Sequence, residues 1–297
     1  MTSSLVSTGV VLEYETFGSP DSTALVLIAG FGAQLLSWHA DLCQILADQG
    51  RYVIRFDNRD AGKSTMFDQY AVDLQAIIAA AFTGDLDTVR ASAPYSLEDM
   101  ADDVVGLMDV LDVRKAHIVG ASMGGMIAQL VAIRHPERTQ TLTSMMSSTG
   151  EADYGQATPD AMAALLSPAP SDRSSFIESS VKANRVWSSA RYFDADAVAG
   201  VAAASYDRSF SPAGTTRQLA ALLATGSLAD QLTELAVPTL VIHGLDDTLV
   251  TPSGGQRTAN LIPYADLLLV PDMGHDRPEP LWPLLTQALI EHTQPKQ

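Results

Sequence analysis

The chain has 297 residues, 46% of them apolar, enough for a sizeable core in one large α/β domain with an insertion or in two small domains. Its formal net charge of −17 argues against nucleic acid and anionic membrane surfaces, which need a positive footprint, and against a strongly anionic substrate. No apolar run reaches the roughly eighteen residues of a membrane span. Met1-Thr2-Ser3-Ser4-Leu5 lacks the basic region and apolar core of a signal peptide, and the single Cys43 has no internal disulfide partner, so the expected compartment is the cytoplasm.

Taken in order, Val10 to Phe17 alternates enough to read as an edge strand, and Gly18-Ser19-Pro20-Asp21 as a turn. Leu25 to Ala29 is a continuous apolar run, as expected of a strand buried on both faces, and leads into Gly30-Phe31-Gly32-Ala33. Trp38 to Gln49 predicts a helix ended by Gly50, with Cys43 as a small buried hydrophobe. Tyr52 to Phe56 is the next strand and runs into the charged turn Asp57-Asn58-Arg59-Asp60-Ala61-Gly62-Lys63-Ser64. Asp57 and Arg59 read there as structural ties. Residues 65–95 are less regular, with a short apolar helix over Leu74 to Phe82 expected above the site entrance. Ser96 reads as the N-cap of a helix whose core face is Leu97, Met100, Val104, Leu107, Met108 and Leu111.

The most informative stretch follows. His117 to Val119 is a short branched apolar strand ending in Gly120-Ala121-Ser122-Met123-Gly124, a match to G-x-S-x-G, and a helix runs from Met123 to Arg134. Strand, tight turn bearing Ser, then helix is the context in which this motif makes a nucleophile. The strained turn needs small neighbours, and Gly120, Ala121, Gly124 and Gly125 supply them. Because a helix start leaves N–H groups unpaired, the Met123 N–H is a ready donor for a developing oxyanion.

Thr139 to Met146 is another strand. Residues 150–235 then break the strand–helix alternation and are rich in Ala, Ser, Pro, Asp and aromatics. We read them as a helical cap inserted between core segments 1–149 and 236–297. Trp187, Tyr192, Phe193 and Phe210 are candidate pocket residues, with cap packing as the alternative use of each. The alternation resumes at Val237 to Gly244, followed by Asp246-Asp247, a helix over Ser253 to Leu261, a strand over Leu267 to Val270, and His275 behind Gly274. A last helix spans Leu281 to His292. No Cys/His cluster has metal spacing and no G-x-G-x-x-G follows a strand, so neither metal nor cofactor is expected.

Ser122, an aspartate of the Asp246–Asp247 pair, and His275 each follow a strand at its carboxyl end, the edge where open parallel sheets bind ligands. Serine is a poor nucleophile without a base, and the base needs an orienting carboxylate. The other histidines, His39, His117, His135, His243 and His292, lack this setting.

The order Ser…Asp…His, with Ile54–Asp60, Val119–Gly124, Leu240–Gly244 and Asp272–Asp276, resembles the α/β-hydrolase superfamily. The resemblance is closest to the esterase-like branch that includes aclacinomycin methylesterase. It implies an α/β fold with a mostly parallel sheet, helices on both faces and an inserted helical cap. It further implies a cofactor-free serine esterase acting on a small-molecule ester. By the same resemblance the residue after Gly30, Phe31, gives the second oxyanion N–H, although Ala29 stands where many relatives carry His. The triad acid is then Asp247, three residues after Gly244, although Pro252 stands five rather than four residues beyond it. Ser122 at the elbow counts against haloalkane dehalogenases and epoxide hydrolases, which carry Asp there. Cofactor-free haloperoxidases and C–C bond hydrolases keep the same triad and stay open, as does a ligand-binding receptor on this scaffold.

Overall fold

The computed structural model describes residues 1–294. Among them, eight strands form one sheet: β1 (Thr2–Leu5), β2 (Val11–Phe17), β3 (Thr23–Ile28), β4 (Arg51–Phe56), β5 (Ala116–Ala121), β6 (Thr139–Met145), β7 (Thr239–Gly244) and β8 (Asp266–Val270). Their order is β1-β2-β4-β3-β5-β6-β7-β8, antiparallel at β1–β2 and β2–β4 and parallel elsewhere. β2 is therefore not the edge strand that its alternation suggested. β1 covers it, pairing Thr2 with Tyr14 through Leu5 with Val11. β1 is short and polar, so nothing in its own composition announces a strand; the ladder supplied by β2 makes it one.

The core helices are α1 (Ala40–Asp48), α2 (Leu74–Phe82), α3 (Leu86–Ser92), α4 (Leu97–Val110) and α5 (Met123–Arg134). Between β6 and β7 come α6 (Pro159–Leu165), α7 (Arg173–Trp187), α8 (Ala195–Arg208), α9 (Pro212–Thr225) and α10 (Ala229–Leu232). The chain ends with α11 (Ser253–Leu261) and α12 (Trp282–His292). α1 starts two residues later than the apolar pattern suggested, because the His39 side chain accepts the Asp41 N–H and caps it there. α4 starts as expected, with Ser96 and Asp99 in a reciprocal capping box. α3 was not expected; Asp85 caps it by accepting the Thr88 N–H.

Alternate residues of the central strands point to opposite faces, and both faces are buried. Val26, Ile28, Ile54 and Ile118 pack with α4 and α5, while Leu25, Leu27, Val53 and Val119 pack with α1 and α12. Cys43 is fully buried in the second cluster, and burial pushes its thiol up to about 12. The register aligns the carboxyl ends, pairing Ile28 with Gly120, Ala121 with Met145, and Met145 with Ile242. The loops after β3, β5, β7 and β8 consequently leave the sheet along one edge. No helix among the described residues is long and apolar enough to cross a membrane.

Candidate active site

Ser122 stands between β5 and α5 with φ 57° and ψ −125°, a backbone conformation that L residues rarely adopt. Neighbouring bonds hold it there. The Ser122 N–H donates to the Met145 carbonyl at 2.9 Å, and the Ser122 carbonyl accepts the Gly125 N–H and the Ser147 hydroxyl, both at 2.8 Å. The glycines are required by close approach: a Cβ at Gly120 would run into the Gly124 carbonyl, and one at Gly124 into the Ile28 and Ala29 carbonyls. Gly30 lies over the elbow, where a Cβ would meet Ser122 Cβ at 3.2 Å and Oγ at 3.7 Å. The loop carrying Phe31 thus sits directly beside the serine. Among the described residues, neither the Phe31 nor the Met123 N–H has a protein acceptor.

Asp247 and His275 meet at the β7–β8 end of the same edge. His275 Nδ1 lies 2.7 Å from Asp247 Oδ2, and Asp247 is buried whereas Asp246 is exposed. Burial pushes the Asp247 carboxyl upward, but His275 and His243 outweigh it and hold the group below the usual carboxylate range. An ionised carboxylate only accepts, so His275 Nδ1 carries the proton and Nε2 remains available as an acceptor. The other oxygen, Oδ1, accepts the Leu249 and Val250 N–H groups, each at 2.9 Å. His243 is fully buried; its Nε2 lies 2.7 Å from the Val250 carbonyl and 3.4 Å from Asp247 Oδ2. A carbonyl only accepts, so that nitrogen bears the proton and pins the turn that carries Asp247.

A model of the alpha/beta hydrolase fold matches residues 23–277. The chain belongs to the α/β-hydrolase fold family. It is 29% identical to the rhodomycin D methylesterase DnrP of Streptomyces peucetius, over 96% of this chain and 95% of that one. It is 27% identical to 3-oxoadipate enol-lactonase 2 of Acinetobacter baylyi, over 89% and 86%. Among solved structures, a thermophilic esterase from Thermogutta terrifontis superposes with a TM-score of 0.73 at 21% identity, covering 99% of each chain.

Within this α/β-hydrolase, the helical insertion docks on the edge loops through polar contacts. The His275 N–H donates to the Trp187 carbonyl at 2.6 Å, and the Thr248 hydroxyl donates to the Val186 carbonyl at 2.8 Å, so the C-terminus of α7 holds both the His275 and Asp247 loops. Asp276 Oδ1 accepts the Ser189 and Gly274 N–H groups at 3.1 and 3.2 Å. On the other side, Arg208 of α8 donates to Asp57 Oδ2 at 2.6 Å, and Arg217 of α9 grips Asp60 through two bonds of 2.9 and 2.7 Å. Asp57 also accepts the Leu35 N–H at 2.7 Å and the Lys63 N–H at 2.9 Å, and Arg59 pairs with Asp103 at 2.7 Å. Asp57 and Arg59 are thus ties, as expected. Arg208 and Arg217 of the insertion, and Asp276 on the His275 loop, were missed as partners in this docking. Asp60 adopts φ 62°, a turn conformation that favours glycine, and only the structure shows it.

The expected pocket aromatics occupy different settings. Phe210 packs on Phe176 and Tyr206, with ring centres 5.6 and 4.9 Å away, and with Phe176, Gly32, Gln34 and Thr215 lines a cavity of about 80 Å³ whose wall includes none of Ser122, Asp247 and His275. Trp187 is half-buried beside His275 through its carbonyl. Arg191 lies 5.1 Å from the Tyr192 ring centre and Arg185 lies 4.4 Å over Phe193, so one face of each ring is engaged by a cation. α2 and α3 pack against α9, Ile77 and Val89 meeting Ala220 and Ala224. Among the described residues, no group of three His, Cys, Asp or Glu side chains is arranged to hold a metal ion.

Proposed function

We propose that the protein is a serine carboxylic ester hydrolase that works through an acyl-enzyme on Ser122. The observation that carries this reading is the 2.7 Å Asp247–His275 bond, standing on the same sheet edge as a serine held in a strained elbow. In the proposed reaction Ser122 Oγ attacks the ester carbonyl while His275 Nε2 takes its proton. Asp247 fixes the imidazole tautomer and stabilises the imidazolium. The Phe31 and Met123 N–H groups receive the oxyanion. Collapse of the adduct expels the alcohol, protonated by His275, and leaves an acyl group on Ser122. A water activated by the same imidazole then releases the acid.

The similarity to rhodomycin D methylesterase, 29% identical over nearly the full length of both chains, supports ester hydrolysis among the chemistries the triad can serve. We take the substrate to be a neutral or cationic, largely apolar ester of small to medium size, because the net charge of −17 repels anions and the insertion is rich in aromatics. Residues 150–235 serve as the cap over the site, with Phe210 and Trp187 contributing to the pocket. Tyr192 and Phe193 offer it only the ring faces that their arginines leave free.

The test is an ester panel of graded chain length that includes methyl esters of aromatic polyketides, run beside labelling by a serine-directed phosphonate. Labelling confined to Ser122 and turnover of apolar esters are expected. A dicarboxylate or phosphate-bearing ester as the best substrate would overturn the substrate class, and absence of labelling would overturn the acyl-enzyme.

A further inference from the structure

We infer that the helical insertion positions the oxyanion loop through two buried amides, Gln218 of α9 and Gln34 of the loop itself, so that a docked insertion is a condition for fast chemistry. The inference rests on the reading of Phe31 N–H as an oxyanion donor. Gln218 is fully buried, and both ends of its amide are used. Its Oε1 accepts the Gly32 N–H at 2.9 Å, and its Nε2 donates to the Arg59 carbonyl at 2.7 Å. Gly32 immediately follows Phe31. Fixing the Gly32 N–H fixes the peptide plane on one side of Phe31, and the direction of the Phe31 N–H depends on that plane.

Gln34 works from the opposite direction. Its Nε2 donates to the Ser205 and Ser209 carbonyls at 2.8 Å each, at the C-terminal end of α8, and its Oε1 accepts from Arg208 at 2.9 Å. The loop is thus tied to α9 at Gly32 and to α8 at Gln34. Beside its internal Ala33–Gly30 turn at 3.2 Å, its ties to the core stand at its two ends: Asn58 Nδ2 donates to the Ala29 carbonyl at 3.0 Å, the Leu35 N–H to Asp57 at 2.7 Å, and Arg277 to the Ser37 carbonyl at 2.9 Å. Asp57 itself is bound by Arg208. Gly32 has φ 65°, and a Cβ there would come within 3.2 Å of Thr215 Cγ2 on α9. Between Phe31 and Gln34, the bonds that the loop makes outside itself therefore lead to the insertion, at Gly32 and at Gln34. Gln218 and Gln34 are positioning residues: they touch no reacting atom, and they act through the Phe31 N–H.

The experiment uses the full chain and a chromogenic ester, with active sites in each preparation counted by phosphonate titration. Gln218→Met keeps the side-chain length and removes both hydrogen bonds. It is expected to lower kcat per titrated site by about 10- to 100-fold, less than outright loss of an oxyanion donor, with KM within about twofold. A boronic acid, which carries the charge of the tetrahedral adduct, is expected to weaken by the same factor. Gln218→Glu retains the acceptor for Gly32 and is expected to recover most of kcat. Gln34→Met, which frees the loop from α8 without touching α9, carries the same kcat-specific expectation and decides the matter if Gln218→Met does not fold. Unchanged kcat and boronate affinity in folded variants overturn the inference. So does a loss confined to KM, and so does failure of all three variants to fold, because the amides would then be structural ties alone. A wild-type chain that the phosphonate does not label overturns the esterase reading instead.

Discussion

The sheet edge and the helical insertion are built on different physics. α5, behind the elbow, buries ten of its twelve residues, and the strands beside it are buried on both faces. In the insertion α7 buries none and α8 buries only Ala202, while α9 alone packs like a core helix. What joins the insertion to the edge is directional and polar: Arg208 to Asp57, Arg217 to Asp60, and the Trp187 carbonyl to the His275 N–H. Apolar packing holds a scaffold firmly without specifying fine geometry. Ion pairs and amide bonds specify geometry, and breaking one leaves a partner stranded. The proposed catalytic groups stand where these two kinds of structure meet.

The largest expected effect breaks the edge itself. Ser122→Ala is expected to lower kcat by at least about 10⁴-fold, and adding His275→Ala to cost little more, since residues acting as one unit are non-additive. Ester turnover in the single and double variants measures this. Next, Asp247→Asn is expected to cost about 10⁴-fold in kcat by disturbing the imidazole tautomer, whereas exposed Asp246→Asn stays within about twofold. The reverse ranking at one pH would reassign the acid.

The insertion breaks differently. Arg217→Met leaves the buried Asp60 without its guanidinium and is expected to destabilise the fold by about 3–5 kcal/mol, read by urea unfolding. Adding Asp60→Asn should return part of that loss. Back in the sheet, burial pushes His117 down to about 4, from an ordinary value near 6.5. Between those two values the unfolded chain binds a proton that the folded chain refuses. Stability is therefore unaffected above about pH 6.5 and falls as the pH drops toward 4, by up to about 3 kcal/mol. His117→Gln is expected to flatten that window of the stability–pH curve. The smallest effect sharpens the contrast: on the proposal that Phe210 contributes to the ester pocket, Phe210→Ala is expected to raise KM for an apolar ester by about 3- to 10-fold with kcat unchanged, the signature of uniform binding lost.

How much was legible follows the same division. The elbow helix Met123–Arg134 and the helices Leu74–Phe82 and Ser253–Leu261 have the bounds that apolar period and flanking residues suggested. His275 Nδ1 stands 2.7 Å from Asp247, the member of the Asp246–Asp247 pair that the family resemblance, not local pattern, singled out. Local pattern carries such features because burial selects residue type position by position. β1 and α3 escaped it, one needing a neighbour's ladder and the other resting on a single cap.

By itself, then, the sequence determined the strand–helix alternation, the small residues around Ser122, and the placing of Ser122, the Asp246–Asp247 pair and His275 each after a strand, since all of these follow from neighbours along the chain. Only the tertiary structure decided that Arg208 meets Asp57, that Arg217 meets Asp60, that Gln218 reaches Gly32 across 186 residues, and that the end of α7 seats the His275 loop. The physical reason is that a charged or amide side chain in a surface-like helix has the same local signature whether it meets water or a partner. The choice is made when folding removes the water and leaves one acceptor within reach.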